Sequence, residues 1–486
     1  MATVTIEQQP LYTRMPVGQK IIYTISESSI VAAEQRVKFV AKVYISNDLP
    51  PVFGTSSPIG TFKTIPNNKG VGIFDFSNLL SNYVSSDNLC TDNASYKKQG
   101  QLPDVTFPIH LIDRFSMSTN SCVYVAIIFS IEYLYLGGNS QTYNTIINTG
   151  GRASRPLEIF NGYVKYTDDL LYGAVGTNIN NNYGYDIDDY KLQFNTSNFL
   201  TNAPATQWVR NGDYGTLSYL VQIDTSNIEP VSYIQFKYYP EYDAGGTVLA
   251  LDDQFDRLKN TGAYDVYDSK AEEMIIFFGA YPGNLKVYGT NFRTYLNSGE
   301  VKSYTIQAIN SLGAETSKKM TINISCKNLR GYERVRLTWL NQYGTWDYYS
   351  FMQKSVQTIS TKGTTYDQLE GTWNDKQYKV DSYKGGKKSF RVNATETIKM
   401  NSDYLSEEYS EWFEELINSP EVYMLKAANS PVEITSGSIT FDSLNRFAVP
   451  VRLKTTSLTK KTVANDKLIQ YTIEVEKSRT LRTQSV

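Results

Sequence analysis

Apolar and polar side chains alternate most clearly between residues 332 and 351. One side of this stretch is apolar and carries Val335, Leu337 and Trp339. The other side is polar and carries Arg334, Arg336 and Thr338. This period of two predicts a half-buried β-strand. Residues 341–344 supply a turn and residues 346–351 a second, aromatic-rich strand, so the stretch predicts a β-hairpin that must pack on further sheet to be stable.

Similar alternating or continuously apolar segments recur along the whole chain. They predict strands at residues 20–25, 37–45, 123–135, 214–223, 233–239, 274–278, 302–310, 316–325, 421–425, 447–453 and 467–475. Short strands separated by turn residues are typical of sandwich domains. The sequence therefore predicts a mainly β fold of tandem β-sandwich domains of the immunoglobulin or fibronectin type.

One segment has the period of a sizeable amphipathic helix instead. Its apolar side chains fall on one stripe: Leu405, Tyr409, Trp412, Phe413 and Leu416. Glutamates occupy the opposite side, Ser402 or Asp403 can cap the start, and Pro420 stops the helix. We therefore predict a helix at residues 403–417 whose stripe packs on the sheet of its domain, because an isolated helix of this length is marginal in water.

Shifts in composition divide the chain into four parts. We predict an N-terminal β domain at residues 1–140, an Asn/Gly/Tyr-rich linker or long loops at 141–199, a β-sandwich domain at 200–325, and a C-terminal β domain with the helix at 326–486. The Asn-rich segment 178–190 and the basic tail 477–486 are expected to have no fold of their own and to become ordered only against partners.

Charge and cysteine content narrow the classes of partner and compartment. The formal net charge is −2, so no global basic field attracts nucleic acid, and we expect no direct sequence-specific nucleic-acid binding. No run of apolar residues reaches 18, so we expect no membrane insertion. The three cysteines, Cys90, Cys122 and Cys326, lack zinc or disulfide spacing, and no signal peptide is visible, so synthesis in a reducing cytoplasm is expected.

Candidate catalytic and metal-binding residues do not form complete motifs. His110 is the single histidine, and no GxSxG motif surrounds any serine. Asp186, Asp188 and Asp189 cluster, but Tyr190 breaks the calcium-loop pattern. The run 385–389 superficially suggests a phosphate loop, yet it lacks the required first glycine and the Ser or Thr, and we interpret it as a β-turn. No catalytic, cofactor-binding or metal-binding residue is assigned, and no cofactor is expected.

A carbohydrate-binding or glycan-degrading protein is the alternative from a different class. Trp339, Trp346 and Trp373 could line a sugar platform, and the many carboxylates could supply an acid pair for glycoside hydrolysis. Tryptophans on alternating strands are more often residues of a domain core or a domain interface. Burial of Trp339 and Trp346 would therefore argue against a sugar platform built on them.

Several short motifs follow one another along the chain. They lie at residues 72–76 (GIFDF) with 79–80 (LL), 199–202 (FLTN), 282–285 (PGNL), 336–348 (RLTWLNQYGTWDY), 419–423 (SPEVY) and 467–476 (LIQYTIEVE after Lys467). In this order they resemble structural proteins of podovirus-like bacteriophages, in particular the crAss-like phages and their relatives. The resemblance spans nearly the whole chain, although Thr345 stands where a second glycine is expected in the turn.

This resemblance implies a non-enzymatic virion component that acts as a repeated subunit. Its location would be the virion, in the head-fibre, collar or tail (ring or fibre-attachment) assembly. Its partners would be other copies of itself and neighbouring portal, tail or fibre proteins, and a host glycan is a further candidate contact.

Overall fold

The structure is a computed structural model. It describes residues 4–12, 14–46, 51, 53, 56–85, 115–117, 121–134, 151–164, 171–174, 192, 195–220, 231–256, 275–325, 332–373, 376–425, 433–435, 438–440, 448–459, 469–479 and 482–485. His110, Cys90, Cys326, the acidic cluster at 186–189 and the Asn-rich segment 178–190 all lie outside these ranges.

The fold is mainly β, as the sequence predicts, and the chain divides into two compact units. Unit 1 comprises Met1–Thr201, Ala205–Ser325 and Asn341–Trp346. Unit 2 comprises Asn202–Pro204, Cys326–Leu340 and Asp347–Val486.

The strands of unit 1 are β1 Thr5–Pro10, β2 Arg14–Pro16, β3 Ile22–Ser26, β4 Gln35–Ser46, β5 Gly60–Thr64, β6 Val71–Asp75, β7 Phe115–Met117, β8 Cys122–Leu134, β9 Arg152–Ala153, β10 Leu157–Phe160, β11 Tyr172–Gly173, β12 Thr206–Arg210, β13 Thr216–Leu220, β14 Tyr233–Tyr239, β15 Asp253–Asp256, β16 Ile275–Gly279, β17 Ser303–Ile309 and β18 Met320–Ser325. Its helices are α1 Ser28–Ala33, α2 Ser77–Leu80, α3 Pro282–Tyr288 and α4 Thr290–Ser298.

The first part of unit 1 is a sandwich of two sheets. One sheet has the order β11-β1-β3-β6 and the other β2-β10-β8-β4-β5, with β9 added beside β8. Their inner faces share one apolar core, in which the Phe129 ring lies 5.4 Å from Tyr23 and 5.8 Å from Phe74 between ring centroids. Buried Arg14 and Glu158 pair at 2.6 Å at the β2–β10 side. Side chains alternating inward from both sheets thus build this core.

The second part of unit 1 contains a five-stranded sheet, β12-β18-β17-β14-β15, and a three-stranded sheet, β13-β16-β7. Strands β17 and β18 form the antiparallel pair that the sequence predicts at 302–325. Helices α3 and α4 were not predicted from the sequence. Two typical signals were nevertheless present: Pro282 in the first turn of α3 and Gly299, with a left-handed backbone, directly after α4.

The hairpin predicted at residues 332–351 has its turn at residues 341–346, which belong to unit 1. The Asn341 side chain donates to the Leu200 carbonyl at 2.9 Å, and the Thr345 hydroxyl donates to the same oxygen at 2.8 Å. Gly344 has φ 73°, and a Cβ there would lie 2.0 Å from the Asn161 carbonyl oxygen. The turn therefore requires glycine at 344, and the buried Thr345 has a hydrogen-bonding role that a glycine would lose.

Unit 2 is built on one large sheet and one helix. Its strands are β19 Val335–Leu340, β20 Trp346–Phe351, β21 Ser355–Gln368, β22 Gly386–Asn401, β23 Val422–Leu425, β24 Glu433–Thr435, β25 Ser438–Thr440, β26 Ala448–Leu453, β27 Thr472–Lys477 and β28 Arg482–Ser485, and its helix is α5 Tyr409–Asn418. The large sheet has the order β20-β19-β23-β26-β27-β22-β21, with β28 also paired to β22.

Helix α5 packs its apolar stripe into the core of unit 2, as predicted. Trp412, Phe413 and Leu416 are buried, and the Trp412 ring lies 5.0 Å from that of Trp339. The predicted start at 403 is wrong, because Leu405 instead forms a β-bridge with Ile469 and α5 begins at Tyr409. The end before Pro420 is confirmed.

Two further expectations for unit 2 are corrected by the structure. Strand β19 is not half-buried, since all six of its residues are buried and Arg336 lies over the Tyr348 ring at 5.3 Å. The tail was expected to have no fold of its own, but its residues Arg482–Ser485 form a strand that pairs with Arg391–Ala394 of β22. The alternation of polar and apolar residues therefore predicted the strand β19 but not the burial of its polar face.

Candidate functional site

The most exposed part of unit 2 is a long β-hairpin formed by β21 and β22, which we call the arm. The two strands pair antiparallel from Ser355 with Met400 to Gln368 with Gly386. Fourteen residues at about 3.3 Å each make the arm roughly 45 Å long. Residues 369–385, which connect the strands, are called the tip.

The end of β22 farthest from the tip is anchored in the core of unit 2. Ile398 and Met400 are buried there and pair with Val475 and Ile473 of β27. Lys477 reinforces this ladder through an ion pair with Glu396 at 2.6 Å. This buried end therefore holds the arm in a fixed direction.

Beyond this anchor, the arm leaves the core. Residues 356–367 of β21 are all exposed, so neither face of that strand is covered. Strand β21 is also the last strand of the large sheet, and no strand in the described part of the chain pairs with its outer edge. On β22 the pairing skips Phe390, which makes a bulge between Ser389 and Arg391. Such a bulge bends its own strand and leaves β21 regular.

Backbone constraints and hydrogen bonds order the tip. Gly371 has φ 83°, and a Cβ there would lie 2.3 Å from the Tyr378 ring, so the fold requires glycine at that position. The Thr372 amide donates to the Lys379 carbonyl at 3.1 Å, and Trp373 Nε1 donates to the Glu370 carbonyl at 2.6 Å. These hydrogen bonds hold the described residues on the two sides of the tip, around Thr372 and Lys379, against each other.

Large apolar side chains project from the tip into solvent. They are Leu369, Trp373, Tyr378, Val380 and Tyr383, each more than half exposed. The Trp373 and Tyr378 rings lie 5.4 Å apart at an interplanar angle of 55°. Exposed apolar groups clustered in this way mark surfaces that bind another molecule.

Lysines surround these apolar groups. Lys384 pairs with Asp381 at 3.2 Å, and the hydrogen bond that its ammonium donates to that carboxylate raises the pKa of Lys384. The Lys388 ammonium donates to the Tyr383 carbonyl at 2.7 Å. The Lys384 amide donates to the Asp381 carbonyl at 3.0 Å, so a β-turn lies directly before Gly385. The prediction that the run 385–389 forms the turn is wrong, because Gly386–Ser389 already belong to β22. The tip thus combines aromatic rings with fixed cations.

The structure separates the three tryptophans that the sequence analysis considered for a sugar platform. Trp339 and Trp346 are buried at 0% and 3% exposure, so neither can contact a sugar from solvent. Trp373 is 69% exposed at the tip. The sequence identified Trp373 as a candidate but did not identify the arm that presents it.

Unit 1 also contains a cleft of about 680 Å³ beside α1 and β4. Val31, Ile65 and Tyr133 supply apolar lining, and Glu34 and Glu132 supply carboxylates. Arg36 at its rim has φ 54°, in the left-handed region that is unfavourable for arginine. Glu132 is already paired with Lys63, so this cleft offers Glu34 as its unpaired acid among the described lining residues.

The described residues contain no cluster of three or more His, Cys, Asp or Glu side chains placed to hold a metal ion. Cys122 is a buried free thiol, and burial raises its pKa well above the ordinary value. No helix in the described ranges is both long and apolar enough to cross a bilayer.

Comparisons with known proteins leave the family open. No protein-family model matches the chain, and no curated protein matches it. One solved structure with detectable similarity is the native conformation of E. coli alpha-2-macroglobulin, at 11% sequence identity and a TM-score of 0.19. The aligned part covers 82% of this chain but only 22% of that protein.

Proposed function

We propose that this chain is a non-enzymatic structural subunit of a bacteriophage virion, repeated in the head-fibre, collar or tail assembly. The arm would dock its tip on a neighbouring virion protein, such as a portal, tail or fibre component, or on another copy of the chain. The resemblance of motifs along the sequence supports the virion part of this proposal.

The single observation that favours an assembly role is the arm itself. A buried anchor holds a hairpin of about 45 Å, and the hairpin presents five exposed apolar side chains at its tip. Leaving these groups in water costs free energy that a protein surface can recover by covering them. Trp and Tyr are the residue types that contribute most to binding at protein interfaces.

The test is incorporation of the protein into particles. Phage particles produced from a genome that carries this gene are purified and analysed by mass spectrometry, and the protein is expected among their components. A variant with Trp373→Ser and Tyr378→Ser is expected to fold normally and to be lost from the particles. Leu312→Ser, which removes a similarly exposed apolar side chain far along the sequence from the tip, is the matched control and should be incorporated.

Absence of the native protein from the particles would contradict the virion proposal. Normal incorporation of the doubly substituted protein would show that the tip does not mediate docking.

The alternative function is carbohydrate binding, and one observation favours it. Trp373 and Tyr378 form an exposed aromatic pair, and aromatic rings stack on sugars. The 55° angle between the rings means that a single sugar face can stack on only one of them. Titration of the purified protein with host-surface glycans, followed by tryptophan fluorescence, would reveal such binding as a saturable change that Trp373→Ser abolishes.

A further inference from the structure

The outer edge of β21 is unusual for a protein that remains a single copy. Natural proteins protect edge strands by keeping them short or by placing proline, several charges or a bulge on them. Strand β21 has fourteen residues, contains no proline and carries one lysine, Lys362. The bulge of the hairpin lies on β22 at Phe390, so β21 keeps a regular edge of unpaired amides and carbonyls.

We propose that this edge pairs antiparallel with the same edge of a second copy of the chain, so that two arms join into one continuous sheet. The inference rests on the proposed role of the arm in assembly and names its partner. A two-fold axis perpendicular to the sheet relates identical antiparallel strands, and such an interface uses one surface twice.

The register that overlaps nearly all of β21 is centred on Thr361. In this register Thr361 faces Thr361 of the second copy, and Thr358 faces Thr364. Val356 faces Tyr366, which pairs two side chains that are exposed in the single copy. Threonine pairs and pairs of an aromatic with a β-branched residue are favourable cross-strand neighbours.

Charge also fits this register. Lys362 lies opposite Ser360 and Asp367 opposite Ser355, so no like charges are directly opposite each other. Lys362 lies diagonal to Lys362 of the second copy, but both faces of β21 are exposed, so these two flexible side chains can point apart into solvent. At both ends of the overlap Lys354 lies diagonal to Glu370 of the second copy, within reach of two long side chains. Both side chains are exposed. The overlap is therefore self-complementary in apolar groups and hydroxyls, and opposite charges meet at its two ends.

The experiment measures self-association of the purified full-length protein by analytical ultracentrifugation. A concentration-dependent dimer is expected. Lys354→Glu and Glu370→Lys are each expected to weaken the dimer about tenfold, because each converts two attractive pairs into repulsive ones. The double variant restores opposite charges and is expected to recover the native affinity. A protein that stays monomeric at all concentrations, or a double variant that is no better than the single ones, would overturn the proposal.

A cysteine placed at the two-fold axis tests the register directly. Thr361→Cys is expected to form a disulfide between two copies under mild oxidation, since each new thiol faces its own copy. Ile359→Cys is the control, because it faces Gly363 and should cross-link much less. Equal cross-linking of the two variants would contradict the register.

These outcomes are independent of particle incorporation. A protein that forms this dimer but is absent from virions would keep the inference and refute the virion proposal. A monomeric protein whose tip variant is lost from virions would do the reverse.

Discussion

Strand β22 passes through two environments within sixteen residues, and the contrast shows what decides a strand's role. Near its end, Ile398 and Met400 are buried and locked to β27 by a ladder and an ion pair. Near its start, Phe390 and Arg391 are exposed, and the strand is held by pairing with β21 and, from Arg391 onward, with β28. Both ends belong to one strand, so the main difference lies in the burial of its side chains: one end stabilises unit 2, and the other is available to a partner.

The largest effect should come from the core helix that backs the anchored end. Trp412→Ala removes a fully buried ring that contacts Trp339, and we expect a loss of about 3–5 kcal/mol in the free energy of unfolding. Chemical denaturation followed by fluorescence measures it. A loss below about 1 kcal/mol would mean that the buried core around α5 contributes little more to the free energy of unfolding than the exposed arm does.

The next test compares two isoleucines on one hairpin. Ile398→Ala should cost about 2–5 kcal/mol, because Ile398 is buried in the core of unit 2. Ile359→Ala, on the exposed part of the partner strand, should change stability by less than about 0.5 kcal/mol. Equal losses in denaturation would show that the arm is covered within the single chain.

A smaller effect is expected from the polar contact beneath the helix. Trp412 Nε1 donates to Asp347 Oδ2 at 2.7 Å in a buried setting. Asp347→Ala leaves this indole N–H without that acceptor and should cost about 1–3 kcal/mol. Asp347→Asn keeps an oxygen acceptor and should lose less, so the ranking of the two variants is the check.

The smallest effect on global stability is expected at the tip. Gly371→Ala places a Cβ on a residue with left-handed backbone conformation and pushes it against the Tyr378 ring. The resulting strain is expected to be confined to the tip. We expect a change in unfolding free energy of less than about 0.5 kcal/mol together with faster tryptic cleavage after Lys376 or Lys379. A large global loss would indicate that the tip is part of the core.

The sequence predicted those elements in which apolar side chains recur with a regular period or form a continuous run. The α5 stripe and the β17–β18 pair were found because burial imposes a period on the sequence. The arm was missed for the same reason, since β21 has two exposed faces and thus no alternation. Its remaining signal was composition, because Val356, Thr358 and Ile359 are β-branched.

Other features depended on distant parts of the chain. The covered polar face of β19 and the bridge of Leu405 to Ile469 arise from tertiary contacts that no local pattern encodes. Of the candidate site, the sequence indicated Trp373 but not the strands that bring it to the end of an arm, and it assigned to a turn the residues Gly386–Ser389 that begin β22.

The pairing of β28 with β22 has a consequence for the order of events during synthesis. Arg391 pairs with Ser485, a partner that leaves the ribosome about 90 residues later, or several seconds at usual rates of translation. During that interval the edge of β22 that will pair with β28 has no partner strand, whereas its other edge can already pair with β21. Two copies translated from the same mRNA could therefore pair through this edge of β22. The rate at which β28 pairs with β22 would then set the yield of correctly folded subunit.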